Sequence, residues 1–493
     1  MPRHEFARNH LVNILNDVKG KTLGEADVKN VFDKTISNHK VTGIAGDVIE
    51  QSVLGYPADN KKKPDLIVDG VDTELKTTGL KRVKKKANDE KSELDAKEPM
   101  SITAVSPDDI VSEEFDHSAL WHKLEHMLLV YYLYDSEKTV LASEYAKFPI
   151  LDYQFHTFEG DEKEILQKDW ELVRDFIRRA KEELDDPKSR YHEISRLREN
   201  MLFMDTAPKY PNPPRFRLKR SVVSALVKKH FKKDFTHEYH YTKFNSYDEL
   251  KNILHKFTLT NKGKSIKQIA DDLGLDLKHN TKGVVNKSIT ERVLTAAFGS
   301  SSGKLRKIEI FAKIGIIPKT IAISQKGTRT EDTKLDAVDF SEWTDIDISF
   351  EDSNVYNYFA NHVLLFTIFQ EPHANSALEE NVFLGFKRIS FNDEFIYEHV
   401  KPTWDKVREL VNNNELRVSE SLNKYGDPIE NKSGTIKEAT NLPKSKDNVV
   451  FLRGTGQDST KKTYTVNGIS MYQQHFWING KFLVEMLSKL DFI

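Results

Sequence analysis

The hydrophobic pattern is sharpest in Pro64-Asp65-Leu66-Ile67-Val68-Asp69-Gly70-Val71-Asp72-Thr73-Glu74-Leu75-Lys76. The apolar run Leu66-Ile67-Val68 and the alternation that starts at Val71 predict two short strands joined by an Asp-Gly turn. Strand side chains alternate between faces, so Glu74 and Lys76 share one face while Leu75 takes the apolar one. The hairpin then returns Asp65 towards both. Further on, Met127 to Tyr134 is nearly all apolar and predicts a buried strand. Phe216-Arg217-Leu218-Lys219 predicts a strand followed by a helix from about Ser221 to Lys229, and Asp185-Asp186-Pro187 predicts a local turn. No run reaches the ~18 apolar residues that a membrane-spanning helix needs.

The chain also echoes itself. Gly20-Lys21-Thr22-Leu23 recurs 243 residues on as Gly263-Lys264-Ser265-Ile266. That offset carries Asp65 to Ile308, Glu74 to Ile317 and Lys76 to Lys319, inside predicted strands Lys307-Ile308-Glu309-Ile310-Phe311 and Ile314-Gly315-Ile316-Ile317-Pro318-Lys319. The stretch from Trp121 to Leu129 is echoed by Asn357 to Leu365, and Phe216-Arg217-Leu218-Lys219 by Phe476-Trp477-Ile478-Asn479. The order is kept, so the pattern predicts two similarly folded halves, of which only the first carries the acids. At 493 residues the chain exceeds what one core usually supports. We expect a catalytic domain at 1–235, a linker at 236–262 in the polar stretch from about Asp234 to Asn261, and an inactive DNA-binding or effector domain at 263–493.

Composition narrows the chemistry. Hydrophobic residues make up 38% of the chain, with 28 Phe, 17 Tyr and 5 Trp, enough for substantial cores. With no cysteine there is no disulfide, thiolate zinc site or cysteine nucleophile. The N-terminus lacks the apolar region of a signal peptide, and we expect a cytoplasmic protein. The formal charge is only -2, so any attraction for a polyanion is local. Two basic patches exist. Lys61 to Lys86 holds nine Lys and Arg against four Asp and Glu, and Lys209 to Lys233 holds nine with no acid. Flanking an acidic motif, they point to a phosphodiester substrate. Lys81, Arg82, Lys84, Arg215, Arg217 and Lys219 are the expected contacts.

Asp65 and Glu74 supply the oxygen ligands that a hard cation such as Mg²⁺ takes alongside a substrate phosphate, with Lys76 beside them. Pro-Asp, eight residues, then Glu-x-Lys is the signature of the PD-(D/E)xK nucleases. Two rival motifs lie elsewhere. His122-Lys123-Leu124-Glu125-His126 satisfies the inverted zinc-peptidase pattern, which needs both imidazoles on one helical face. The apolar run that follows reads better as a strand. Gly299 to Leu305 falls one residue short of a phosphate loop and lacks its Ser or Thr, so no nucleotide site is assigned.

Taken with these residues, the chain resembles the MutH and Sau3AI group of DNA endonucleases. Gly43 to Gly55 looks like that family's helix with a glutamate, here Glu50. Asp65, Glu74 and Lys76 match its catalytic acid, acid and lysine, and His122-Lys123-Leu124 its later basic motif, with Lys123 the functional lysine. The resemblance implies an α/β fold, a mixed sheet flanked by helices, followed by a degenerate second copy. It implies a Mg²⁺-dependent type II restriction endonuclease that cuts double-stranded DNA at GATC or a related short site. A DNA-induced homodimer and a cognate DNA methyltransferase, not stably bound, are the implied partners. The segment from Asp205 to Arg215 is short and proline-rich, whereas Phe451 to His475, with Arg453, Gln457, Lys461 and Lys462, is its longer counterpart in the second half. The recognised site is therefore open. A mismatch-repair nickase of the MutH kind and a non-cutting DNA-binding protein are the alternatives.

Overall fold

The computed structural model describes residues 4–39, 41, 43–56, 64–83, 93–136, 140–207, 211–232, 240–328, 331–351, 353–431, 434–456, 462 and 464–493. Lys84, Gln457 and Lys461, expected to contact DNA, lie outside the described residues. The chain divides into two compact units. The first holds residues 1–136, 140–253 and 295–316, and the second holds 254–294 and 317–493. Within the expected linker, Tyr247–Asn261 form a helix that buries Tyr247, Leu250 and Leu254. The division falls inside this helix.

In the first unit, β1 (His4–Phe6), β2 (Leu66–Val68), β3 (Val71–Val83), β4 (Glu93–Ala96), β6 (His126–Leu133) and β7 (Ile150–Thr157) build a mixed sheet in the order β1-β2-β3-β6-β7, with β4 on β3. β1 pairs with β2, and β3 with β6, in parallel, while the remaining pairings are antiparallel. The β2–β3 turn is as expected, with Asp69 at φ 49° and Gly70 at φ 81°, the double positive φ of a type I′ hairpin. Leu66, Val68, Leu75, Leu128 and Val130 join Leu11, Leu15, Ile44 and Val48 of the covering helices in one core. A second sheet, β5-β9-β8, is made of β5 (Met100–Ala104), β8 (Met204–Ala207) and β9 (Arg215–Leu218).

The second unit has β10 (Ile316–Ile323), β12 (Val363–Gln370) and β13 (Val382–Ser390) in the order β10-β12-β13. β11 (Thr333–Ala337), β16 (Val450–Gly454) and β19 (Gln474–Ile478) form the sheet β11-β19-β16. Two small ribbons pair β14 (Val418–Glu420) with β15 (Glu438–Thr440), and β17 (Tyr464–Val466) with β18 (Ile469–Met471). Among the described residues, no helix is long and apolar enough to cross a membrane.

The sequence echo has a hydrogen-bonded counterpart. Gly20 donates to the Ile150 carbonyl, Ile150 to that of Lys21, and Leu23 to that of Phe148, at 2.8–2.9 Å. In the second unit Gly263 donates to Phe383, Phe383 to Lys264 and Ile266 to Asn381, each at 2.9 Å. Both stretches run into a capping box, Thr22 with Glu25 and Ser265 with Gln268. Ser118 and Ser353 each cap a short helix that leads into a buried strand, β6 or β12.

One part of the echo fails. Glu309–Ile314 is a helix, not the expected strand from Lys307 to Phe311, and Ile308 is its N-cap rather than a strand position matching Asp65. Ile310, Phe311 and Ile314 have helical spacing, Lys313 pairs with Glu309 one turn back at 2.6 Å, and Gly315 ends the helix at φ 69°. Ile317 and Lys319 do lie on a strand, β10.

Two partnered carboxylates lie elsewhere in the first unit, Asp169 buried and Glu162 half-buried. Asp169 accepts the backbone N–H groups of Leu202, Phe203 and Met204 at 2.7, 2.7 and 2.8 Å. Its burial pushes its pKa up to about 6 against the pull of Lys219. We expect Asp169→Ala, which orphans these donors, to destabilise the protein by about 3–5 kcal/mol in urea unfolding. Glu162 is the opposite case. Burial would raise it, but His156 and Lys313 outweigh that and hold it at about 2. Its contribution is complete above the ordinary carboxylate value and disappears as pH falls through about 2. Glu162→Gln should therefore flatten the loss of stability between about pH 4.5 and 2, read by urea melts at stepped pH.

Candidate active site

The site forms where the β2–β3 hairpin meets the start of β6. Continuing the hairpin register of Leu66 with Thr73 and Ile67 with Asp72 sets Asp65 across from Glu74. Asp65 Oδ2 accepts the Leu75 N–H at 3.1 Å, which ties the residue before β2 to the middle of β3. Leu75 faces the core, 3% exposed, so Glu74 and Lys76 project together on the other face. Lys76 Nζ lies 2.6 Å from Glu74 Oε1.

Parallel pairing supplies the next residue. Glu74 stands in register with Met127, so the helix Ala119–Leu124, which leads into β6, ends beside it. Lys123 in its last turn donates to Glu74 Oε1 and Oε2 at 3.0 and 3.1 Å. Glu74 is fully buried, and Lys123 is 8% exposed. A carboxylate so far from water needs such partners, because removing one leaves a buried uncompensated charge.

Glu50 completes the set. The helix Ile44–Val48 widens into a π-turn over Ile49–Val53, and Glu50 sits in that turn. Burial first, then the charges of Asp65 and Asp47, push Glu50 up to about 7. Burial and the nearby Glu74 push Asp65 up to about 6, against the pull of Lys76 and Lys123. Three acids thus share one desolvated place with two lysines.

This surplus of negative charge fits a divalent cation. Among the described residues, no three His, Asp or Glu side chains are grouped so as to hold a metal by themselves. Asp65 and Glu74 present carboxylate oxygens of the kind that a hard cation takes alongside those of a phosphate. The zinc-peptidase pattern is not realised. His122 is in a helix, while His126 opens β6 and its Nδ1 sits 3.2 Å from Thr157 Oγ1.

The expected DNA contacts divide sharply. Lys219 is a correction: it is 4% exposed, and its ammonium donates to the carbonyls of Met201 and Arg198. Arg217 is a second correction, because Nε and Nη2 bind buried Asp205 at 2.7 and 3.0 Å. Both sit beside buried carboxylates, Asp205 on β8 and Asp169 on the helix Asp161–Glu183, that lie outside the stretch in which the basic residues were counted. Arg215 is exposed on β9, and Arg82 is exposed on β3, 3.9 Å from Asp135. Lys81 lies over the Tyr134 ring at 5.4 Å. In the second unit the Arg453 guanidinium lies 5.0 Å from the ring centres of both Phe451 and Trp477 and pairs with Asp332 at 2.6 Å. Lys462 pairs with Glu438.

Comparison with known proteins agrees with this geometry. Residues 54–169, which carry Asp65, Glu74, Lys76 and Lys123, match the family described as DNA mismatch repair enzyme MutH. The chain is also 24% identical, over 90% of its length and 92% of the relative's, to the Type II restriction enzyme Sau3AI of Staphylococcus aureus. The acid and lysine set lies within the matched segment, and in these residues the chain is similar to the MutH family and to Sau3AI.

Proposed function

We propose that the protein is a site-specific deoxyribonuclease of restriction type that cuts both strands of duplex DNA with Mg²⁺, at GATC or a related short site. The observation that carries this reading is Glu74, buried between Lys76 and Lys123 and facing Asp65. Asp65 and Glu74 would hold the cation, with the Leu75 carbonyl as a further ligand. A bound divalent ion polarises the scissile phosphate and lowers the pKa of its water. The chain's own residues do the rest. Lys76, whose side chain is 23% exposed against 10% for the side chain of Lys123, is the lysine nearer the entering water and orients it. Lys123, fixed by both oxygens of Glu74, steadies the negative charge that grows on the phosphate in the transition state. Glu50 keeps Lys76 in place across the shared charge cluster.

We further infer that the second unit is a degenerate copy of the first, since its caps, turn and sheet order repeat while the paired acids do not. Its task is to bind DNA without cutting. Arg453 on its aromatic bed is the leading contact there. A chromosome carrying the site would need the protection of a cognate methyltransferase. The family description also favours a second reading, a repair enzyme that nicks one strand. The product distinguishes them, because nicking leaves open circles and double-strand cutting gives linear plasmid.

Supercoiled plasmid should be linearised with Mg²⁺ and left intact in chelator, and sequencing the ends gives the site. Glu74→Gln and Lys76→Ala should each lower the rate at least ~100-fold. Cleavage within tenfold of wild type by either variant would overturn the site. Glutamine is the informative change at Glu74, since alanine would strip Lys123 of its partner and unfold the site as well. In the full chain carrying Glu74→Gln, Arg453→Ala should weaken duplex binding and flatten its salt dependence by about one unit of log–log slope. Unchanged binding would remove the second unit from DNA recognition.

A further inference from the structure

The π-turn that carries Glu50 is held from outside. Within it, the Leu54 N–H donates to the Ile49 carbonyl at 2.9 Å and the Tyr56 N–H to the Glu50 carbonyl at 3.0 Å. A turn of this width is rare and recurs at functional sites. Closing it to α geometry would rotate the residues on its two sides against each other by about 100°, one residue's share of an α-turn. The support comes from the segment after the helix Leu23–Ala26. Asp27, the C-cap of that helix, accepts the Ser52 hydroxyl at Oδ1, 2.5 Å away, and the Phe32 N–H at Oδ2, 2.9 Å away. Ser52 Oγ in turn accepts the Lys29 N–H at 3.1 Å, so the buried hydroxyl both donates and accepts.

Burial would raise the Asp27 carboxyl, but the Ser52 hydroxyl and the N–H groups of Phe32, Val31 and Lys29 outweigh it and hold the group below its ordinary value. Lys29 also ties the end of the turn, donating from Nζ to the Gly55 carbonyl at 3.2 Å. The helix Leu23–Ala26 is itself fixed, by its capping box and by the Leu23 N–H on the Phe148 carbonyl. Ala26, Val31, Val48, Ile49 and Leu54 of the two segments share one core. Apolar attraction is not directional, whereas the hydrogen bond from Ser52 to Asp27 is, so that bond fixes the rotation of the turn. Ser52 and Glu50 are two positions apart and stand on different sides of the turn. With Ser52 turned to Asp27, Glu50 is left on the side where Asp65, Lys76 and Glu74 act on it.

We propose that Asp27 and Ser52 are positioning residues of the active site: their hydrogen bond holds the π-turn in the rotation that keeps Glu50 beside Lys76 and Asp65. Both act through Glu50 and not on the phosphate. This role rests on the nuclease reading and on the place given there to Glu50.

The test uses the full chain with Ser52→Ala, Asp27→Asn, Glu50→Gln and the double variant Ser52→Ala with Glu50→Gln. Single-turnover cleavage of supercoiled plasmid is measured at saturating enzyme in Mg²⁺, affinity for a short duplex in chelator, and the urea midpoint for folding. A carboxamide at position 27 has one acceptor oxygen for the two donors, Ser52 and Phe32. Ser52→Ala and Asp27→Asn should each slow cleavage about tenfold while duplex affinity stays within about twofold of wild type. Added to Glu50→Gln, Ser52→Ala should cost less than about twofold more, because its route to the reaction is already cut. A Ser52→Ala rate close to that of wild type overturns the proposal. So does an undiminished loss in the Glu50→Gln background, or a loss of affinity or urea midpoint in step with the rate, since either marks a general structural role. A Glu50→Gln rate equal to wild type removes Glu50 from the reaction and the proposal with it. If wild type cuts no plasmid, the nuclease reading falls and takes the proposal along; if wild type cuts and Ser52→Ala cuts as fast, only the proposal falls.

Discussion

Everything in the candidate site follows from burying the carboxylate of Glu74. A charge taken fully out of water costs several kcal/mol unless it is paired and hydrogen-bonded. Lys76 satisfies it from the same strand and Lys123 from the helix that leads into the neighbouring one, so the charge is stable only while β3 and β6 remain in parallel register. The register in turn depends on apolar packing beneath it, where Leu75 and Leu128 share one core. The ionic arrangement that fits phosphodiester chemistry is thus held by hydrophobic contacts one residue away. Moving β3 by a single position would exchange the two faces and bury Lys76 where Leu75 belongs.

The same economy governs the cations. A stretch with nine basic residues and no acid looks like a surface for a polyanion, yet Lys219 and Arg217 close internal contacts with carbonyls and with Asp205. Buried Asp205 on the adjacent strand claims Arg217, and two backbone carbonyls claim Lys219. What remains for a phosphate backbone on the first unit is a smaller set of exposed groups such as Arg215 and Arg82. A net charge near neutrality is the expected result when many cations serve the fold.

Local signals were legible in the sequence, and distant ones were not. The Asp-Gly turn, the faces of Glu74 and Lys76 and the buried run from Met127 onwards follow from neighbouring residues, and the structure realises each. Lys123 and Glu50 entered only through family resemblance, because parallel pairing and a π-turn bring them in from residues far along the chain. The stretch from Lys307 to Phe311 was misread because a short apolar run fits a strand as well as a helix. Gly315 in the left-handed region decides for the helix, and the Lys313 pairs to Glu309 and Glu162 reinforce it. Within the expected linker, charged residues conceal the apolar stripe of Tyr247, Leu250 and Leu254.

The two units show that a backbone pattern and its chemistry can part company. On the β8–β9 ladder of the first unit, Asp205 faces Arg217 in an ion pair. On the β16–β19 ladder of the second, the rung that joins Phe451 to Trp477 carries two rings, with the Arg453 guanidinium 5.0 Å from each. Both ladders end in a helix, Arg220–Lys232 or Gly480–Ser488, and both belong to three-stranded sheets of matching order. Pairing and capping are satisfied by backbone groups that any residue carries, so they survive when side chains change. The acids that would hold a metal have no such protection, since each costs stability unless lysines surround it. On β10 of the second unit an apolar residue, Ile317, stands without that cost.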